Sequence, residues 1–165
     1  MINDSMLQSG QEAPAFSLTG ADGQTYDTAA RGNGPLVLFF FKVGCPTCAL
    51  SFPYMEKLYQ TYRDAGLMLW GIAQDPKDKA VQFAQQGGAT FPILLDDGYP
   101  VSNQFGIHTV PSFYLISRAD SVEFERYSFM KDELNLLAGL VAEQVKRPAS
   151  TLAPADDGKP AFKPG

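Results

Sequence analysis

A chain of 165 residues is long enough for one domain with a proper core and too short for two of ordinary size. With 45% hydrophobic and 19% charged residues its composition is that of a globular protein and not of a disordered chain. A formal charge of −5 offers no basic surface to nucleic acid or anionic membranes, and the longest apolar runs fall far short of the roughly 20 residues of a membrane helix.

The opening "MINDSMLQSGQ" has neither the basic nor the apolar region of a secretory signal. Residues 1–9 therefore read as a lead into the domain. A cytoplasmic location is expected, with the periplasm as the alternative if a signal has been removed. Phe16 and Leu18, a turn centred on Gly23, then Thr25 and Tyr26 alternate as a short N-terminal hairpin would. "LVLFFF" at residues 36–41 is apolar without alternation, which predicts a strand covered on both faces. After Cys45 the period becomes helical. Leu50, Tyr54, Leu58 and Tyr62 recur every fourth residue, with Pro53 expected to kink the helix and Gly66 to stop it.

"LMLWGIA" at residues 67–73 predicts a second buried strand. The stretch "DPKDKAVQFAQQGG" predicts a helix with Asp75 as its N-cap. "FPILLDD" predicts a third strand, "PVSNQFG" two helical turns, and "SFYLIS" with "VEFERY" two strands joined around residues 118–121. A last amphipathic helix places Leu134, Leu137, Ala138, Val141 and Val145 on one face. From residue 146 onward, "KRPASTLAPADDGKPAFKPG" is Pro-rich and reads as a C-terminal tail or linker. Alternating strands and helices imply an α/β domain over residues 10–145, with a sheet flanked by helices.

The only two cysteines, Cys45 and Cys48, fall where the first core strand meets its helix. In open α/β sheets the carboxyl end of a strand is the usual place for chemistry. A thiol attacks as thiolate, and the free N–H groups and positive dipole end of a helix start favour that form. Pro46 suits the first helical turn because its missing N–H has no partner to lose there. Cys48 returns to the same side one turn later, so Cys45 is expected to attack a substrate disulfide and Cys48 to resolve the mixed disulfide. A structural zinc site needs about four Cys or His ligands; two cysteines and one histidine do not supply them. A buried, inert pair is the remaining bland reading.

Taken together, "GQEAPAFSLTGADGQTY", "LVLFFFKVGCPTCALSFPYMEKLYQTY", "FPILLDD" and "FGIHTVPSFYLI" resemble the thioredoxin-fold, TlpA-like or redoxin family of thiol–disulfide oxidoreductases, within the AhpC/TSA-redoxin superfamily. The resemblance implies a thioredoxin-like fold: a central mixed β-sheet flanked by helices, with an N-terminal β-hairpin extension. It implies an exposed nucleophile at Cys45 and a more buried resolving thiol at Cys48. It also implies a cis Val110–Pro111 bond, with the Val110 backbone offered to an extended substrate segment. No organic cofactor or metal is expected. The implied partners are a disulfide-containing protein substrate and an upstream thiol reductant, the protein itself acting as a monomer.

The pattern is broken in three places. Gly44 stands where a tryptophan often precedes the first cysteine, Ser51 where many relatives carry a glutamate, and Phe39 where thioredoxins bury an aspartate. Those carboxylates help move the proton of the buried thiol, so general-base help must come from elsewhere. Lys42, Pro46, Thr47, Ser51 and His108 are the candidate modulators around the pair. The rival reading is a peroxiredoxin-like thiol peroxidase, but Lys42 and Pro111 stand where its threonine and arginine would stabilise peroxide oxygens. A non-catalytic redox-sensing module is the third reading.

Overall fold

The computed structural model describes residues 6–165, so the first five residues of the expected lead lie outside the described part. Every residue of β3 (Leu36–Phe41) is buried, because the strand is central and both its faces are covered. Val37, Phe39 and Phe41 point into one core with Leu58 of α1 (Pro46–Tyr62) and Leu137 of α4 (Lys131–Val145). Leu36, Leu38 and Phe40 point into a second core, against Phe16, Leu18 and Phe105. Period-2 alternation is therefore present in the strand but invisible in its composition, since both destinations are apolar. Each fully buried phenylalanine contributes roughly 1.5–3 kcal/mol of transfer free energy.

The main sheet has the order β5 (Ile93–Leu95), β4 (Met68–Ala73), β3, β6 (Ser112–Ile116), β7 (Val122–Tyr127). β4 lies parallel to β3, and β5 parallel to β4. β6 and β7 complete it with antiparallel pairings. The expected hairpin is β1 (Ser17–Thr19) with β2 (Thr25–Asp27), docked through Phe16 and Tyr26 onto Trp70. This is the central mixed sheet with flanking helices and hairpin extension that the sequence resemblance implied. The register pairs Phe40 with Ser112, so the carboxyl end of β3 abuts the start of β6, and the Val110 carbonyl, two residues before Ser112, lies 3.8 Å from Cys45 Sγ.

Local expectations differ from the structure in four places. The helix α1 runs on through Pro53 to Tyr62: the proline ring faces solvent while Phe52, Tyr54 and Met55 on either side are buried. Its buried face is wider than the four-residue stripe and takes in Cys48, Ser51, Phe52 and Met55, whereas Leu50 is only half-buried. Asp75 does not cap α2 (Lys77–Gln86); its carboxylate accepts the Val43 N–H at 2.7 Å and ties the loop after β3 to the end of β4. The capping aspartate is instead Asp96, which is buried and accepts from the N–H groups of Val101 and Ser102 and from the Ser102 hydroxyl at the start of α3 (Pro100–Gln104).

The Pro-rich stretch read as a tail or linker is laid along the domain. Leu152 and Ala153 are buried, and Asn135 of α4 exchanges two hydrogen bonds with the Ala153 backbone. Further on, β9 (Phe162–Lys163) pairs antiparallel with β8 (Phe129–Met130), the short strand just before α4. Proline and charge content hid this order because the contacts are mostly side chain to backbone, which leaves no hydrophobic period to read.

Candidate active site

Cys45 is the N-cap of α1, in extended backbone conformation (φ −80°, ψ 111°). Its Sγ accepts the Cys48 backbone N–H at 3.1 Å, and its thiol donates to the Val110 carbonyl at 3.8 Å. The sulfur thus takes the role that a serine or aspartate oxygen plays at an ordinary helix start. Gly44, just before it, has φ +81°, the left-handed region that favours glycine, so the chain turns out of β3 without a side chain over the sulfur. Pro46 is exposed at the first helical position.

The two thiols meet different surroundings. Cys45 is half-buried and Cys48 has no exposure at all. Burial pushes the Cys48 thiol far up, and its hydrogen bond with Cys45 adds to the shift; the Asp75 charge adds a smaller push the same way. A backbone hydrogen bond from Lys42 opposes these effects. Cys48 is therefore a protonated thiol at neutral pH, held one turn behind the half-buried Cys45.

The Val110–Pro111 peptide is cis, as the resemblance implied, and Val110 lies against Cys45. The structure brings together Cys45, Cys48, Val110, Pro111, Pro46 and Thr47. It does not bring the other candidates to the sulfurs by their side chains. Lys42 is exposed and reaches the pair through its backbone, its carbonyl accepting the Cys45 N–H at 3.3 Å. Ser51 is buried, with its hydroxyl donated to the Thr47 carbonyl at 2.8 Å. His108 is exposed and sets its ring edge-on to Tyr127 at 5.8 Å. Phe39 lies stacked on Phe113 behind the pair, with ring centroids 5.5 Å apart, so the place of the missing aspartate is wholly apolar. Besides the Cys48 thiol, the hydrogen-bond partners of Cys45 Sγ among the described residues are a backbone amide and a backbone carbonyl.

Sequence reasoning missed the roles of two residues of this region. Thr47, a candidate modulator between the cysteines, is buried and donates its hydroxyl to the distant Pro164 carbonyl at 2.6 Å. Asp75 acts electrostatically on Cys48, although it is far off in sequence and carries the look of a helix cap. Neither role has a local signal, because each depends on a long-range contact.

Residues 9–125 match the model of the AhpC/TSA family. The chain is 30% identical over 117 residues to the thiol-disulfide oxidoreductase ResA of Bacillus thuringiensis, covering 70% of this chain and 68% of that protein. Among solved structures, a putative protein disulfide isomerase from Bacteroides thetaiotaomicron superposes with a TM-score of 0.80 at 24% identity, covering 86% of this chain and 92% of that one. A putative thiol:disulfide interchange protein DsbE from Chlorobium tepidum gives a TM-score of 0.77 at 24% identity, covering 84% and 99%. At that identity the two structures speak for the fold.

Proposed function

This chain belongs to the AhpC/TSA family, as a thiol–disulfide oxidoreductase of its redoxin branch, and we propose that it exchanges disulfides with protein substrates through Cys45 and Cys48. The observation that carries the reading is the asymmetry of the two sulfurs: one only half-buried, the other enclosed and held protonated.

As thiolate, Cys45 attacks one sulfur of a substrate disulfide and forms a mixed disulfide. The second substrate sulfur leaves with the bonding pair and takes up a proton. The Cys48 thiol then gives up its proton and attacks Cys45 Sγ, which expels the substrate's first sulfur as a thiol once protonated. The substrate has gained two electrons and two protons, and the protein holds a Cys45–Cys48 disulfide that an upstream thiol reductant reopens by the reverse steps. The Val110 backbone, next to Cys45, presents hydrogen-bonding groups to an extended substrate segment. With Phe39 and Ser51 in the places of carboxylates, the Cys48 proton leaves by way of water, near the Asp75 charge. In this reading residues 10–145 form the catalytic unit. The likeness to ResA and DsbE proteins is compatible with the periplasmic alternative raised by the sequence.

The test is covalent trapping. Cys48→Ser is expected to accumulate a mixed disulfide between Cys45 and a protein substrate such as insulin, visible by non-reducing electrophoresis and mass spectrometry. The double variant lacking both thiols forms none. Trapping through Cys48 in Cys45→Ser, or no adduct in Cys48→Ser, would overturn the assignment of roles.

A further inference from the structure

Three pieces of the chain meet beside Cys45: Thr47 in the first turn of α1, Val110 ahead of Pro111, and the short strand β8 with its flanking residues. Residues 161–165 run through all three. The Lys131 N–H donates to the Ala161 carbonyl at 2.9 Å, and Phe162 and Lys163 stand opposite Met130 and Phe129. Thr47 Oγ1 donates to the Pro164 carbonyl, and the Gly165 N–H donates to Ser128 Oγ at 3.1 Å. Gly165 is so close to Val110 that any Cβ there would collide with the Val110 carbonyl oxygen, the same atom that accepts from the Cys45 thiol.

This is strand addition: main-chain pairing on one side, a side-chain hydroxyl on the other, and the nucleophilic sulfur at the end of the seat. We propose that residues 161–165 occupy the seat of the incoming polypeptide and act as an intramolecular competitor that a protein substrate must displace. The proposal rests on the oxidoreductase reading above and adds a regulation of that site.

The segment is tethered independently of the seat. Asp157 accepts from Tyr54 Oη and, at 2.5 Å, from Lys131 Nζ, which also donates to the Pro154 carbonyl at 2.8 Å. These hydrogen bonds, Lys131's first, hold the Asp157 carboxyl below the usual carboxylate range, so the tether keeps its charge throughout the neutral region. A depressed carboxylate contributes above its ordinary pKa of about 3.9 and is lost as pH falls below it. Four residues after the tether, the covering strand begins, short enough to keep its local concentration at the seat high. Phe162 is 54% exposed, so the strand is held by backbone pairing and not by a buried anchor, as a displaceable occupant requires.

The experiment compares the full chain, a chain ending after Lys159, and Gly165→Leu in the full chain. The shortened chain keeps Asp157 and everything it touches; Gly165→Leu leaves the domain unaltered and forces the strand off Val110. Two readouts are taken: the rate of Cys45 alkylation by iodoacetamide, and the KM for insulin reduction with dithiothreitol as recharging thiol. A cover seated in about nine molecules of ten slows capture about tenfold. Both variants are therefore expected to raise alkylation several-fold and to lower KM, and a synthetic peptide of residues 160–165 added to the shortened chain should raise its KM again. Insulin turnover with equal KM in all three proteins, whether or not alkylation changes, overturns the competitor and leaves the oxidoreductase reading standing. No insulin turnover in any of them overturns that reading and the competitor with it.

Discussion

The first turn of α1 and the stretch 148–165 touch one another at Thr47, yet they are held by opposite means. Behind Cys45 and Cys48 the structure is dry: Phe39, Cys48, Phe52 and Met55 have no exposure, and four aromatic rings surround Phe39 at centroid distances between 4.9 and 6.5 Å. The C-terminal stretch buries little beyond Leu152 and Ala153. It is fixed by polar side chains reaching out from the helices: Lys57 donates to the carbonyls of Thr151 and Leu152, Tyr62 to that of Pro148, Tyr54 and Lys131 to Asp157, and Asn135 both donates to and accepts from the Ala153 backbone. Packing sets the geometry of the sulfurs and resists any local opening. A string of modest polar bonds orders a segment while leaving it able to release in part.

The contrast breaks most visibly at Phe39. Phe39→Ala removes a fully buried ring from the middle of this aromatic cluster and is expected to cost about 3–5 kcal/mol in urea unfolding. The loss is global, because β3 is the central strand. A cost under about 1 kcal/mol, within the range of surface substitutions or little above it, would mean that packing behind the sulfurs does not hold the junction.

A smaller effect separates the sulfurs themselves. The enclosed Cys48 thiol has its pKa raised by burial, so the native state keeps a proton that the unfolded chain releases above about pH 8.5. Its contribution is fully present below that pH and is lost as pH rises toward the folded value. Between pH 8 and 10 the reduced protein should lose about 2 kcal/mol relative to Cys48→Ala measured in parallel. The difference between the two urea series isolates this thiol from the tyrosines that titrate in the same direction, Tyr26, Tyr54 and Tyr114. Parallel series would mean that Cys48 ionises as freely in the fold as out of it.

The same contrast explains what could be read in advance. The six apolar residues of β3, the hairpin around Gly23 and the helical period after Cys45 are written in local composition, and with the quoted motifs they were enough for the fold. The site was legible where covalent neighbours make it: a Cys-Pro-Thr-Cys run at a strand-to-helix turn. It was illegible where it depends on residues far off in sequence. Asp75 looked like a cap, yet its carboxylate crosses to Val43, 32 residues away. The order of residues 148–165 was hidden because its partners sit on α1, β8 and α4, up to 117 residues away, and because proline and charge are also the marks of a free linker. Polar anchors have no period; only apolar faces do.

The smallest expected effect lies in that stretch. Asn135→Ala deletes the two bonds to the Ala153 backbone, at 3.0 and 2.7 Å, and takes nothing from either apolar core. The loss should be about 1–2 kcal/mol and should appear locally. Hydrogen exchange at the Ala153 amide and chymotrypsin cleavage after Leu152 and Phe162 should both quicken several-fold, while the urea midpoint of the domain moves little. Asn135 lies on α4, far along the tether from Cys45, so a parallel rise in Cys45 alkylation would show that loosening the stretch at its middle frees the strand at its end. If the urea midpoint instead falls as far as it does in Phe39→Ala, residues 148–165 belong to one cooperative unit with β3, and the division between a packed sulfur mount and a polar-tied cover does not hold.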